Sequence, residues 1–306
     1  MGIFLSKEEV VCPESLLRRA AGRAPAVTAI VGAGHEVVLE SVRQACEHGL
    51  IDPVFIGESS VIRDLADVMR WDISAFPIHH AEGEEQIARR GADLAASGQV
   101  QMVMKGHVHS DAFMRPLLDK DSGVRGDSRL SHVFHMTLPK SPKALLLTDC
   151  ALNVAPNIKT RIAIVENAVA LAHRIGIDCP QVAMLAASET VSPAMPVTGE
   201  CAEIVAHFSD SDLEMQIEGP FAFDNIVSET SARMKGIESS VAGEADIIVV
   251  PTIETGNALF KMMVYFMSAC AGGIVLGGRV PILLTSRADP PAARLASAAL
   301  GALSSL

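Results

Sequence analysis

Short, nearly continuous apolar runs alternate along this chain with longer stretches whose apolar positions recur at helical spacing, which predicts repeated strand–helix–strand units. Ala26–Val31 predicts a strand; Gly32-Ala33-Gly34 follows, then a helix to about His48 that Gly49 ends. Residues 53–57 predict the next strand, 82–96 a helix, and 100–104 a strand leading into Lys105-Gly106. Further on, 144–147 predicts a strand ending at Thr148-Asp149. Ile158–Arg174 carries Ile162, Val165, Val169 and Ala172 on one helical stripe, and Gly176 caps it. Residues 182–185 and 246–250 predict strands and 257–271 a helix, with Gly272-Gly273 dividing that helix from a strand at 274–276.

The fold class expected is α/β, with parallel-rich sheets covered by helices in two domains. The segment Pro139-Lys140-Ser141-Pro142 interrupts the pattern. It sets a first, discontinuous domain over 1–140 plus 277–306 and a second over 141–276. A sheet of this kind gathers its functional loops at the carboxyl ends of its strands, so residues distant in sequence meet there.

Composition narrows the function. An apolar content of 49% over 306 residues is ample for a core. The net charge of −11, aromatics at 4% and the lack of a long Lys/Arg run argue against nucleic acid as a partner. Six scattered cysteines without a C-x-x-C pattern fit reduced thiols and a cytoplasmic location. Residues 1–10 hold Lys7, Glu8 and Glu9 and lack the apolar run of a signal peptide. The stretch 258–278 is the one membrane-like segment, but Lys261 interrupts it and Gly272-Gly273 divides it, so no membrane partner is expected.

The most informative segment is Val280-Pro281-Ile282-Leu283-Leu284-Thr285-Ser286-Arg287-Ala288-Asp289. An apolar strand ends there in a hydroxyl, a fixed cation and a carboxylate, which suits chemistry on an anionic substrate. Lys105-Gly106-His107-Val108-His109-Ser110-Asp111 follows another strand: Gly106 permits close backbone approach, and Ser110 or Asp111 can cap the next helix. Arg115 is then expected on the first turns of that helix, facing the loop edge. His107 and His109 have metal-binding side chains but no acidic ligands at compatible spacing, so no metal is expected. His132 and His135, three apart in a predicted strand, point to opposite faces. Arg125 and Arg129 serve either an anion site or a solvated loop.

Gly32-Ala33-Gly34 starts like a dinucleotide fingerprint, but Val37 stands where its third glycine belongs, leaving a tight strand-to-helix turn. Cys150 reads as a buried structural thiol. Gly256-Asn257 is expected to open a helix, either as an ordinary cap or with free N–H groups that receive phosphate, and Lys261 lies one turn further. Gly219-Pro220-Phe221 predicts a turn before Asp224 and Asn225, and Ser188-Glu189-Thr190 follows another strand.

Taken in order, KGHVHSDAFMRPLL, RLSHVFHM, LLTDCALNVAPN, GPFAFDN, ADIIVVPTIETGNALFK and PILLTSRAD resemble the phosphate acetyltransferase and phosphate butyryltransferase family, from about residue 26 to the C-terminus. The LTSRAD form is closer to the butyryl branch, or to the acetyltransferase-like domain that some bacteria fuse to an enoyl-CoA hydratase. The resemblance implies acyl-CoA plus phosphate giving acyl phosphate plus CoA. It also implies an isocitrate/isopropylmalate dehydrogenase-like architecture with an interdomain cleft, a homodimer, and coenzyme A as co-substrate with no tightly bound cofactor. Ser286 would stabilise the tetrahedral intermediate, Arg287 would bind substrate, and Arg115 with Ser110 would bind phosphate. Asn257, Lys261 and Asp224 match further substrate-binding positions. The acetyl branch has a catalytic Asp seven residues after the motif serine, where this chain has Ala293; the placement of Asp289 in Ser-Arg-x-Asp suggests that it would serve as the base instead. That branch's pocket cysteine has no equivalent near Ser141. Two rival readings are an NAD- and metal-dependent dehydrogenase of the 4-hydroxythreonine-phosphate dehydrogenase type and a non-catalytic acyl-CoA sensor.

Overall fold

The computed structural model describes residues 5–126, 128–139, 141, 143–285 and 289–305. It is a mixed, parallel-rich α/β fold that divides into two compact units. The first unit holds residues 10–128 and 272–306, and the second holds 1–9 and 129–271. These joints fall before the sequence-expected ones at 140/141 and 276/277.

In the first unit, β1 (Ala26–Val31), β2 (Ile51–Gly57), β3 (Ile78–His80) and β4 (Met102–Lys105) run parallel in the order β3-β2-β1-β4. The largely apolar, buried sequences of β1, β2 and β4 suit strands covered on both faces, whereas β3, Ile78-His79-His80, is the more exposed edge. In the second unit, β5 (Ser131–Thr137) pairs antiparallel with β6 (Leu145–Thr148). Parallel to β6 lie β9, β7 and β8 in that order, where β7 is Gln181–Leu185, β8 Gln216–Phe221 and β9 Ile247–Val249. The strand β10 (Cys270–Leu276) spans the division at 271/272 and pairs antiparallel with β11 (Ile282–Leu283), which lies parallel to β4.

The closing helix, Pro291–Ser304, is buried along nearly its whole length and packs within the first unit through small residues. A Cβ at Gly272 would come 2.9 Å from Leu300, and Gly273 N–H donates to Ser297 Oγ at 2.9 Å. Gly272 and Gly273, expected to divide a helix from a strand, therefore lie inside β10, where bare backbone lets the helix approach. The preceding helix is Ile253–Met267, not 257–271, and Ser268 ends it in the left-handed conformation.

Strand β8 also departs from the expected pattern. Gly219, Pro220 and Phe221, expected as a turn, complete β8, with a cis bond between Gly219 and Pro220. The register against β7 shifts here, and a Cβ on Gly219 would meet Met184 at 2.7 Å, so the irregularity requires glycine.

A second close approach joins β1 to β4. Gly106 N–H donates to Val31 O and His107 N–H to Gly32 O, both at 2.8 Å. A Cβ on Gly106 would collide with the Gly32 carbonyl and lie 2.8 Å from that of Val31. Gly106→Ala is expected to destabilise the protein by about 1–3 kcal/mol, read as a lower denaturant midpoint; an unchanged midpoint would contradict this packing.

The second unit buries two histidines on β5. His132 has no hydrogen-bond partner for either ring nitrogen among the described residues, and neither does Nδ1 of His135. Burial pushes both imidazoles down to about 4, with the Asp149 carboxylate opposing this at His132. Unfolded histidine titrates near 6.5, so between about pH 6.5 and 4 the unfolded chain binds more protons and folding stability falls as pH is lowered. Urea midpoints across that window should decline, and less steeply in His135→Leu. An equal slope in the variant would rule out this linkage.

Candidate active site

Three chain segments leave the first unit's strands at their carboxyl ends. After β1, Gly32 adopts φ +85° and His35 caps the helix Glu36–Glu47, its Nδ1 accepting from Val37 N–H at 3.3 Å. After β4, the His107 ring stacks on His35 at 4.2 Å. His109 Nδ1 lies 2.7 Å from the Glu84 carboxylate, and Glu84 Oε1 also accepts from His109 N–H at 3.2 Å. His109, rather than Ser110 or Asp111, is the cap of the helix Ser110–Leu118; its backbone donor is satisfied by Glu84 from a neighbouring helix. Ser110 is the first helical residue and is exposed.

Arg115 sits in the last turn of that helix, not its first turns, immediately before Pro116. It is exposed, 3.6 Å from Glu85, and lines a cavity of about 640 Å³ together with Arg89, Pro116 and Asp119. Two guanidinium groups and two carboxylates share that cavity.

The third segment follows β11. Parallel pairing of Ile282 with Val103 and Leu283 with Met104 sets it beside the end of β4. Thr285 and Lys105 are both buried. Thr285 Oγ1 donates to the Lys105 carbonyl at 3.3 Å, and Lys105 Nζ donates to the Thr285 carbonyl at 3.5 Å. Ser286 and Arg287 lie outside the described residues. The Asp289 carbonyl accepts from Arg294 Nε at 3.3 Å. Burial lowers the Arg294 pKa from its usual value, and Asp289 opposes that. Ala293 is buried in the closing helix.

In the second unit the loop after β6 is organised by the buried Asp149. Its carboxylate accepts from Ala151 N–H and Leu152 N–H at 2.9 Å, His132 N–H at 3.1 Å, Asn153 N–H at 3.3 Å and Asn153 Nδ2 at 2.7 Å. Asn153 in turn donates to Leu130 O and accepts from Arg129 Nε, both at 2.9 Å. Arg129 is thus tied to the loop rather than merely solvated. Cys150 beside Asp149 is fully buried, and burial holds its thiol well above its ordinary pKa, so it stays protonated.

This loop supports the helix that carries Asn257 and Lys261. A Cβ on Gly256 would lie 2.8 Å from Cys150 Sγ and 3.0 Å from Asp149 O. Thr252 caps that helix and Ile253 opens it, so Asn257 lies beyond the first turn and does not present free N–H groups to a phosphate. Asn257 is half-buried and Lys261 exposed; four apart, they share a helix face. Asp224 opens a separate arrangement: it pairs with Lys235 at 3.1 Å, which lies 3.8 Å from Glu189, while Asn225 Nδ2 donates to Glu189 at 3.4 Å.

Sequence reasoning missed Lys105, Thr285, Glu84 and the Asp149 network. A carboxylate directly after an apolar strand, followed by Asn four residues on, was the available signal for Asp149 and Asn153.

Three comparisons set this geometry among known proteins. The family model described as phosphate acetyl/butaryl transferase matches residues 84–302. A phosphate acetyltransferase of Rickettsia felis is 39% identical over 287 residues, covering 93% of this chain and 82% of that one. A phosphate butyryltransferase of Clostridium acetobutylicum is 37% identical over 276 residues, covering 90% and 92%. The crystal structure of a branched-chain phosphotransacylase from Enterococcus faecalis superposes with a TM-score of 0.79 at 33% identity, covering 90% of this chain and 97% of that one.

The Asp149 network generates its own test. Asp149→Ala strands four backbone N–H groups and the Asn153 amide, and is expected to cost at least about 2 kcal/mol of folding stability. Chemical denaturation within error of the parent protein would contradict it.

Proposed function

Since this chain belongs to the phosphate acetyl/butyryl transferase family, we propose that Ser286, Arg287 and Asp289 carry its chemistry. The protein is an acyltransferase that moves a short acyl group, acetyl or butyryl, reversibly between coenzyme A and inorganic phosphate. The observation that supports the site is the parallel pairing of β11 with β4, which brings Thr285, the residue before Ser286, beside the strand end from which the chain runs on to Ser110.

The reacting thiol of coenzyme A has a free-thiol pKa of about 8.5, so at neutral pH most of it is protonated. Asp289 accepts that proton. The thiolate attacks the acyl carbon of the acyl phosphate, and Ser286 donates a hydrogen bond to the oxygen of the tetrahedral intermediate. The C–O bond to phosphate then breaks, with Arg287 and Arg115 compensating the phosphate charge. Ser110 adds a hydroxyl donor at the same helix, and Asn257, Lys261 and Asp224 bind the remaining substrate groups. The scheme needs no covalent acyl-enzyme and no resident cofactor.

The isocitrate/isopropylmalate dehydrogenase-like architecture and a cytoplasmic location belong to the same proposal; among the described residues, no helix is long and apolar enough to cross a membrane. So does a homodimer. The helix Ile253–Met267 exposes Met262, Tyr265, Phe266 and Met267, an apolar surface suited to self-association.

Ser286→Ala and Arg287→Gln, checked for folding by circular dichroism, should each lower phosphate-dependent acyl transfer by about a hundredfold. Full activity in both would remove the site assignment.

A further inference from the structure

Lys105 is among the largest fully buried side chains of the protein, and the scheme above gives it no task. Withdrawing an ammonium from water is costly, so a lysine at such a position calls for a use of its charge. It ends β4, in register with Val31 of β1, and β11 passes on the other side. Two residues past the end of β11 stands Thr285, which precedes Ser286, and Lys105 and Thr285 bond each other reciprocally. The ammonium donates to the Thr285 carbonyl and the threonine hydroxyl donates to the Lys105 carbonyl. The two contacts continue the β4–β11 association past its final strand pair, Leu283 with Met104.

We propose that Lys105 is a positioning residue for acyl transfer: its buried ammonium holds the Thr285 carbonyl, and with it the peptide leading into Ser286 and Arg287. Holding the Thr285 carbonyl removes freedom from the backbone that enters Ser286, which leaves less to be reorganised in the transition state. The cation also polarises the Thr285–Ser286 peptide, which strengthens the hydrogen bond its N–H can donate. Lys105 itself touches no substrate. The inference rests on the proposed roles of Ser286 and Arg287.

Lys105→Met keeps most of the side chain's volume, one atom shorter, and removes its charge. In the full chain, kcat for phosphate-dependent acyl transfer should fall about ten- to a hundredfold. The KM values for acyl-CoA and phosphate should stay within about threefold, with rates normalised to folded protein. Combined with Ser286→Ala, the loss should be clearly less than the product of the two single losses, because both act through one loop. Should Lys105→Met fail to fold, Lys105→Gln, whose amide ends one bond short of the ammonium position, should show the same loss of kcat with unchanged KM. Unchanged kcat, a loss matched by the fraction of unfolded protein, or multiplicative losses would each overturn the inference. A slow Ser286→Ala beside a full-rate Lys105→Met would remove this inference alone; a full-rate Ser286→Ala would remove the proposed site as well.

Discussion

The parallel pairing of β11 with β4 is the constraint on which the candidate site depends. It sets residues about 180 positions apart in sequence side by side, Ile282 against Val103 and Leu283 against Met104. Two residues of β11 are a small strand, and their hold comes from the surroundings. The antiparallel return of β10, the closing helix packed on Gly272, and the Lys105–Thr285 contacts all fix the same short segment. Glycine is required wherever these elements approach most closely. Gly106 against Gly32 lets the loops after β1 and β4 share backbone hydrogen bonds, and Gly301 lies against Met102 and Leu283 behind the sheet.

The second unit meets the same need by a different device. Its loop after β6 has no regular structure to satisfy its N–H groups, and one buried carboxylate collects them. The loop so fixed makes the seat for Gly256, and through it for the helix bearing Asn257 and Lys261. Lys105 in one unit and Asp149 in the other are both buried charges at strand ends, and each organises a loop rather than the core.

Regular elements with strong period were legible in the sequence. Ala26–Val31 and Ile158–Arg174 take the bounds that apolar run and helical stripe predict. The errors cluster at glycine. Gly256 resembled a helix start, yet it lies inside the helix because Cys150 needs the space of its missing side chain. Gly272 resembled a break for the same reason, with Leu300 and Ala296 as the neighbours. Gly219 looked like a turn, although it is the irregular residue of a strand. Local pattern cannot distinguish a glycine that bends the chain from one that admits a neighbour. Arg115 falls in the last turn because its helix, Ser110–Leu118, is only nine residues long. The buried Lys105 was not legible from residue types, since its significance appears only with its burial.

The most direct test of the acyl transfer is the release of coenzyme A from acetyl-CoA and butyryl-CoA by the unaltered protein, followed with a thiol reagent with and without inorganic phosphate. The account predicts release that requires phosphate and is matched mole for mole by acyl phosphate. Release at the same rate without phosphate, or none from either substrate, would contradict it.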